Sequence, residues 1–405
     1  MIYTRTAFEE IRRYHDTDDI IVLHGARQVG KTSIMRYILA ELQSAGRAVH
    51  YIDLEDSRML KLLNGGVKEF FRHLKEEGLI AGEQVPGKLF VFIDEIQYLD
   101  NPSSFLKLIA DHHPGIKLIV SGSSSFAIKS KFQDSLVGRS VNFEIFPLSF
   151  REFLTFKEIP FVRESLPFTG KKNEELKVLF REYVLFGGYP RIVLTPDLAR
   201  KEKYLQQIID TYVRKDIRDL ANVKDPEKFN KLLEALASQS GQMLNVTELA
   251  NTTRLAKQTI EHYLFIMENT YIIRLLRPFS RNIRSELFKL PKLFFYDTGI
   301  MQMLWLKRLQ QEIIGQVFES AIFGELAKSH PRDELFYWRN KDKKEIDFIL
   351  NRQNIPLPIE VKLNFGQFTP TAVNYFNSRY QQNEYRLIGL EGVKRDERSI
   401  YPWEI

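Results

Sequence analysis

The 405-residue chain contains no cysteine. Disulfides and thiolate zinc sites are therefore excluded, and a reducing compartment, the cytoplasm, is the expected home. No apolar run approaches the length that crosses a bilayer, so no membrane partner is expected. The first residues carry Arg5, Glu9, Glu10, Arg12 and Arg13 where a signal peptide would have an apolar core. Internal repeats and low-complexity segments are absent. Charge of one sign is in only modest excess: a net +6 permits nucleic-acid contact without requiring it. With 44% hydrophobic and 12% aromatic residues the composition is that of a folded chain. Its length exceeds one core, so about two to four domains are expected.

The most informative stretch runs from Ile20 to Ser33. Four apolar residues, Ile20-Ile21-Val22-Leu23, read as a buried strand. His24 follows, and then Gly25-Ala26-Arg27-Gln28-Val29-Gly30-Lys31-Thr32 fits G-x-x-x-x-G-K-[ST]. A helical pattern follows from Ile34 to Leu42. Strand, glycine-bounded loop and helix form the context of a phosphate-binding P-loop. Glycines at 25 and 30 let the backbone bend around a phosphate and aim its N–H groups at it. The helix N-terminus adds partial positive charge. Lys31 would reach the β- and γ-phosphates of ATP, and the Thr32 hydroxyl would ligate Mg²⁺.

Further strands are expected at 48–52, 89–93, 117–121 and 141–146, alternating with helices, which implies a parallel sheet covered on both faces. The third strand, Leu89-Phe90-Val91-Phe92-Ile93, runs straight into Asp94-Glu95. In this pattern Asp94 joins the Mg²⁺ shell and Glu95 polarises the attacking water. Ser121-Gly122-Ser123-Ser124 ends the next strand, where parallel sheets place their ligands, so the Ser123 hydroxyl is a candidate γ-phosphate sensor or plain turn former. Arg139 is read either as an arginine finger acting on a neighbouring subunit or as a surface ion-pair residue.

Together these runs, with Phe92-Ile93-Asp94-Glu95-Ile96-Gln97, Gly138-Arg139 and Pro147-Leu148-Ser149-Phe150-Arg151-Glu152-Phe153, resemble prokaryotic AAA-type ATPases that carry a C-terminal domain of unknown function. The resemblance extends over nearly the whole chain. It implies an α/β multidomain protein with an AAA-type motor at 1–155 and a last domain similar in fold to restriction endonucleases.

Between these, 156–225 reads as a helical connector. It holds an irregular stretch at 158–173, a helix at 174–186 closed by Gly187-Gly188-Tyr189-Pro190, and a long helix at 198–220 with a mixed-charge end. Residues 226–280 read as a winged helix. Helices are expected near 229–237, 244–250 and 256–268, with 271–276 as the wing. Lys257, Gln258, Thr259, Glu261 and His262 would face outward, and Ile260, Leu264 and Met267 inward. DNA reading and mere packing are both open, because Glu261 and Glu268 oppose a nucleic-acid partner.

Residues 281–405 form the last domain. Strands are expected at 335–339, 345–350 and 358–362, after a helix at 314–328. Alternation puts Glu360 and Lys362 on one strand face, where Asp347 of the neighbouring strand can meet them. Asp347 and Glu360 could hold a second Mg²⁺, with Lys362 positioning water and Glu319 as a helix-borne fourth member. This is the PD-(D/E)xK nuclease pattern. A salt-bridged remnant without turnover is the competing reading. The functional expectation is a Mg²⁺-dependent ATPase that drives or switches a DNA-binding or nuclease-like module, with homo-oligomers if it remodels substrates as a ring. The alternative is a nucleotide switch whose C-terminal half only binds a protein partner.

Overall fold

The computed structural model describes residues 3–80, 87–122, 136, 138–162, 168–280 and 290–405. It divides into two compact units. The first comprises Met1–Phe146 with the tripeptide Asn269–Tyr271, and the second Pro147–Glu268 with Ile272–Ile405.

The first unit is built on five strands: β1 Ile20–Gly25, β2 Ala48–Asp53, β3 Leu89–Asp94, β4 Ile116–Gly122 and β5 Ser140–Ile145. They lie in the order β2-β3-β4-β1-β5 and every pair is parallel. β1, β3 and β4 are buried along their whole length, as their unbroken apolar runs require in a sheet covered on both faces. The helices Lys31–Ser44, Ser57–Asn64, Val67–Glu76 and Pro102–His112 supply the covering layers. Phe70, Leu74, Phe105, Leu106 and Ile109 pack on Val91, Ile93 and Val120 in one such layer. All strand carboxyl ends fall on one edge, and there β1 passes into the Gly25–Gly30 loop.

The second unit is mixed. Its first helix, Phe150–Phe156, begins with a capping box between Ser149 and Glu152. The next, Gly170–Phe186, starts four residues before the expected Glu174. The long helix expected at 198–220 is continuous but not uniform. It is α-helical over Leu198–Ile208, π-helical over Ile209–Asp216 and α-helical again over Ile217–Leu220. Helices Pro226–Ser238, Val246–Thr253 and Lys257–Asn269 precede β6, Ile273–Leu276. β6 pairs antiparallel with β7, Lys292–Phe295, so the two-stranded element reaches beyond the expected boundary at 280.

The helices Thr298–Leu306 and Gly315–Ser329 then lead to a second five-stranded sheet, in which the last strand in chain order lies at one edge and the first of the five at the other. Its strands are β8 Leu335–Arg339, β9 Glu345–Arg352, β10 Ile355–Asn364, β11 Arg386–Glu391 and β12 Ser399–Ile400. β8, β9 and β10 run antiparallel, whereas β10, β11 and β12 are parallel. Trp338, Ile346, Ile349 and Leu387 pack against Val373 and Phe376 of the helix Thr371–Tyr380 on one sheet face.

At the end of β1 the backbone of Gly25 passes so close to β5 that an added Cβ would lie 2.0 Å from the Ile145 carbonyl oxygen. Both groups belong to buried strands, so neither can give way cheaply. Gly25→Ala is expected to destabilise the chain by about 3 kcal/mol. A thermal melt without nucleotide checks this, and an unchanged midpoint would refute the close approach.

Candidate nucleotide site

Two side chains dominate the carboxyl edge of the first sheet, Lys31 and Asp94. Lys31 opens the helix Lys31–Ser44, whose N-cap Gly30 has φ 100°, a conformation open chiefly to glycine. Its ammonium folds back under the loop and donates to the carbonyls of Gly25 at 3.1 Å and Ala26 at 2.8 Å. Burial pushes its pKa down to about 8, only partly offset by the charges of Glu95 and Asp94. Arg5 braces the loop from outside, donating to the Val29 and Phe146 carbonyls, each at 2.9 Å.

Asp94 ends β3 and is 2% exposed. Its Oδ2 accepts from Thr32 Oγ1 at 2.8 Å and Tyr51 Oη at 2.6 Å. Its Oδ1 accepts from the Glu95 amide at 3.1 Å and from the Ser121 hydroxyl. Burial and the bond to Asp94 push the Tyr51 phenol well above its ordinary range, so it stays a donor. Glu95 sits in the left-handed region at φ 56°, and its carboxylate accepts from the Gln97 amide. Thus Thr32 and Asp94, distant in sequence, meet as expected, with Lys31 and Glu95 beside them. Ala26 and Val29 are buried, Arg27 and Gly30 half-buried, and Gln28 and Ser33 exposed.

The hydroxyl at the tip of β4 that touches this cluster is Ser121. Ser123 lies outside the described residues. The sequence alone assigns no role to Tyr51, Arg5 or Gln97. Tyr51 is signalled only by being a polar residue near the end of a strand. Arg139 lies away from this edge. It precedes β5 at the amino end of the strands, where its carbonyl accepts from the Ile20 amide. The loop is at the other end, about 17 Å away along six residues. The guanidinium is bonded to Asp111 at 2.5 Å. The surface ion pair is what the single chain contains.

In the second unit, Lys362 Nζ donates to Asp347 Oδ2 at 3.0 Å and Glu360 Oε2 at 2.9 Å. Burial and the neighbouring Asp347 push Glu360 up to about 8. Burial opposes the Lys362 charge, but Asp347 and Glu360 outweigh it and raise its pKa. Glu319 faces the same cluster from the helix Gly315–Ser329, raised to about 7 chiefly by burial, against the pull of Lys292. Lys292, on β7, bridges Glu319 at 3.3 Å and Glu345 at 2.7 Å. The four residues singled out in sequence therefore converge, with Lys292 as a fifth member that sequence reading missed. Among the described residues, no three His, Asp or Glu side chains are grouped so as to hold a metal ion. Here the acids are neutralised by two lysines.

A family profile described as AAA domain matches residues 17–154. Profiles described as domains of unknown function, DUF8612 and DUF4143, match 177–312 and 314–402. An uncharacterized protein of Haemophilus influenzae is 24% identical over 99% of this chain and 96% of its own length. An uncharacterized protein of Methanocaldococcus jannaschii is 27% identical over 83% of this chain and 73% of its own. Among solved structures, the Walker-type ATPase PABY2304 of Pyrococcus abyssi aligns at TM-score 0.49 and 16% identity, over 75% of this chain and 96% of that one. With its parallel sheet, its loop and its matched profile, the first unit is similar to the α/β domain of AAA-type P-loop ATPases. No helix among the described residues is long and apolar enough to cross a membrane.

The Lys31 shift carries a sign. Its folded pKa, about 8, lies below the unfolded 10.5, so the unfolded chain binds the extra proton between those values and stability rises with pH there. Below pH 8 the full penalty stands, about 3 kcal/mol at most. Lys31→Met should therefore melt higher than the parent at pH 7 without nucleotide. The difference should shrink as pH rises from 8 to 10. A variant less stable at pH 7 would show that the carbonyl bonds outweigh the buried charge.

Proposed function

We propose that this protein binds and hydrolyses ATP with Mg²⁺ at the loop Gly25–Thr32. The observation that carries the reading is the contact of Thr32 Oγ1 with Asp94 Oδ2 beside the buried Lys31. A hydroxyl at a helix start and a carboxylate at a strand end form the donor pair suited to a hard divalent ion. The ion would be held by Thr32 and Asp94, and when bound it neutralises phosphate charge. The loop amides and the helix start would bind the phosphates. Lys31 would exchange the Gly25 and Ala26 carbonyls for phosphate oxygens. Glu95, next to Asp94 on the same edge, would orient the attacking water, with Gln97 fixing its carboxylate. Titrated with ATP and Mg²⁺ by calorimetry, Lys31→Ala is expected to lose binding. Glu95→Gln should bind normally but hydrolyse at least about a hundredfold more slowly. Unchanged turnover in Lys31→Ala would defeat the proposal.

For the second unit the same reading extends to a module controlled by nucleotide. The helices 226–238, 246–253 and 257–269 followed by the β6–β7 pair support a winged helix. On its third helix Lys257, Gln258, Glu261 and His262 are exposed, while Ile260, Leu264 and Met267 are buried. The convergence of Asp347, Glu360 and Lys362 on adjacent strands supports a PD-(D/E)xK-like fold acting on DNA. The bridging of both acids by Lys362 favours a second reading, in which this half binds a partner, protein or nucleic acid, without cutting. Incubation of the full chain with plasmid and oligonucleotides in Mg²⁺ or Mn²⁺ separates the two. Cleavage that disappears in Asp347→Ala supports a nuclease. Salt-dependent DNA binding without cleavage, or no binding, supports the partner-binding switch.

A further inference from the structure

The tripeptide Asn269–Tyr271 groups with the first unit, although Glu268 and Ile272 on either side of it belong to the second. Tyr271 has φ 61°, a left-handed conformation that is uncommon for a bulky residue and persists only where its surroundings over-determine it. The ring is 2% exposed and packs edge-on against Phe146 at 5.5 Å. Its hydroxyl donates to Glu144 Oε1 at 2.8 Å and lies 2.7 Å from His24 Nδ1. A phenol has one proton. With that proton on Glu144, the His24 contact requires the tautomer that donates from Nδ1.

The two partners are not scattered. His24 and Glu144 are register partners on β1 and β5, and the next pair along is Gly25 with Ile145. Tyr271 therefore ties the two strands together one residue before the close approach from which the phosphate loop departs. A second tie lies just beyond it, where Arg5 joins the Val29 and Phe146 carbonyls.

We infer that Tyr271 is a positioning residue of the nucleotide site. It holds the ends of β1 and β5 in the spacing that aims the loop amides. The inference rests on the ATP-binding reading above and adds to it a residue about 240 positions from the loop motif. Without the hydroxyl, the polar ends of His24 and Glu144 lose their shared partner and the root of the loop loosens. Lys31, Thr32, Asp94 and Glu95 keep their own contacts, so the loss falls on phosphate binding more than on the chemical step.

The test uses the full chain, with ATP and Mg²⁺ followed by calorimetry and steady-state kinetics. Tyr271→Phe is expected to raise Kd and KM about tenfold, the size of one lost hydrogen bond, with kcat within about twofold of the parent. Glu144→Gln keeps an acceptor and should bind like the parent, whereas Glu144→Leu should match Tyr271→Phe. The double variant should be no weaker than either single one, because both remove the same tie. Parental affinity in Tyr271→Phe, while Lys31→Ala has lost binding, overturns the inference alone. A fall in kcat and melting temperature at unchanged KM also overturns it, since that is a folding role. Retained affinity in Lys31→Ala overturns the ATP-binding reading and this inference with it.

Discussion

A single buried carboxylate organises the first unit. Asp94 would be costly to bury as an isolated charge, and the fold offsets that cost with four donors. They come from the helix start at Thr32, from β2 through Tyr51, from β4 through Ser121, and from the adjoining amide of Glu95. Three strand ends and one helix are thereby fixed around one point. Any group that competes for Asp94 must displace donors that also hold the sheet edge together. The candidate site and the fold that keeps its shape are here the same set of hydrogen bonds.

The second unit solves a similar problem with lysines. Lys362 bridges Asp347 and Glu360, and Lys292 bridges Glu319 and Glu345. Elsewhere in this unit Glu325 accepts from the Phe150 amide and the Tyr183 hydroxyl, and Lys328 donates to the Leu148 carbonyl. The Gly187-Gly188 turn is seated by Asp297, which accepts from the Gly188 amide at 2.8 Å. A side chain at Gly188 would collide with the Leu148 carbonyl at 2.4 Å. Lys362, Lys292, Glu325, Lys328 and Asp297 each take a partner from another segment, which fixes how those segments pack.

Much of the site was legible because its parts are local. The loop needs two glycines, a lysine and a threonine within eight residues, and a strand and helix either side show their own periodicities. Asp94-Glu95 was legible as the end of an apolar run. The acids and lysine of the second cluster were legible through strand alternation at Glu360 and Lys362. The bond from Ser121 to Asp94 was not legible, because the apolar pattern does not say which hydroxyl at a strand tip turns inward. The π-helical stretch at 209–216 was invisible, since its apolar spacing is close to that of an α-helix.

What the sequence determined by itself was chemistry carried by neighbouring residues: a phosphate loop, a strand ending in acids, and a Glu-x-Lys strand. Their spacing along the chain is their geometry, so no packing is needed to read them. What only the tertiary structure decided was partnership across long separations. Tyr51 with Asp94, Lys292 with Glu319 and Glu345, and Tyr271 with His24 and Glu144 depend on strand order and register. Those are settled by the burial of whole faces, which no local stretch encodes.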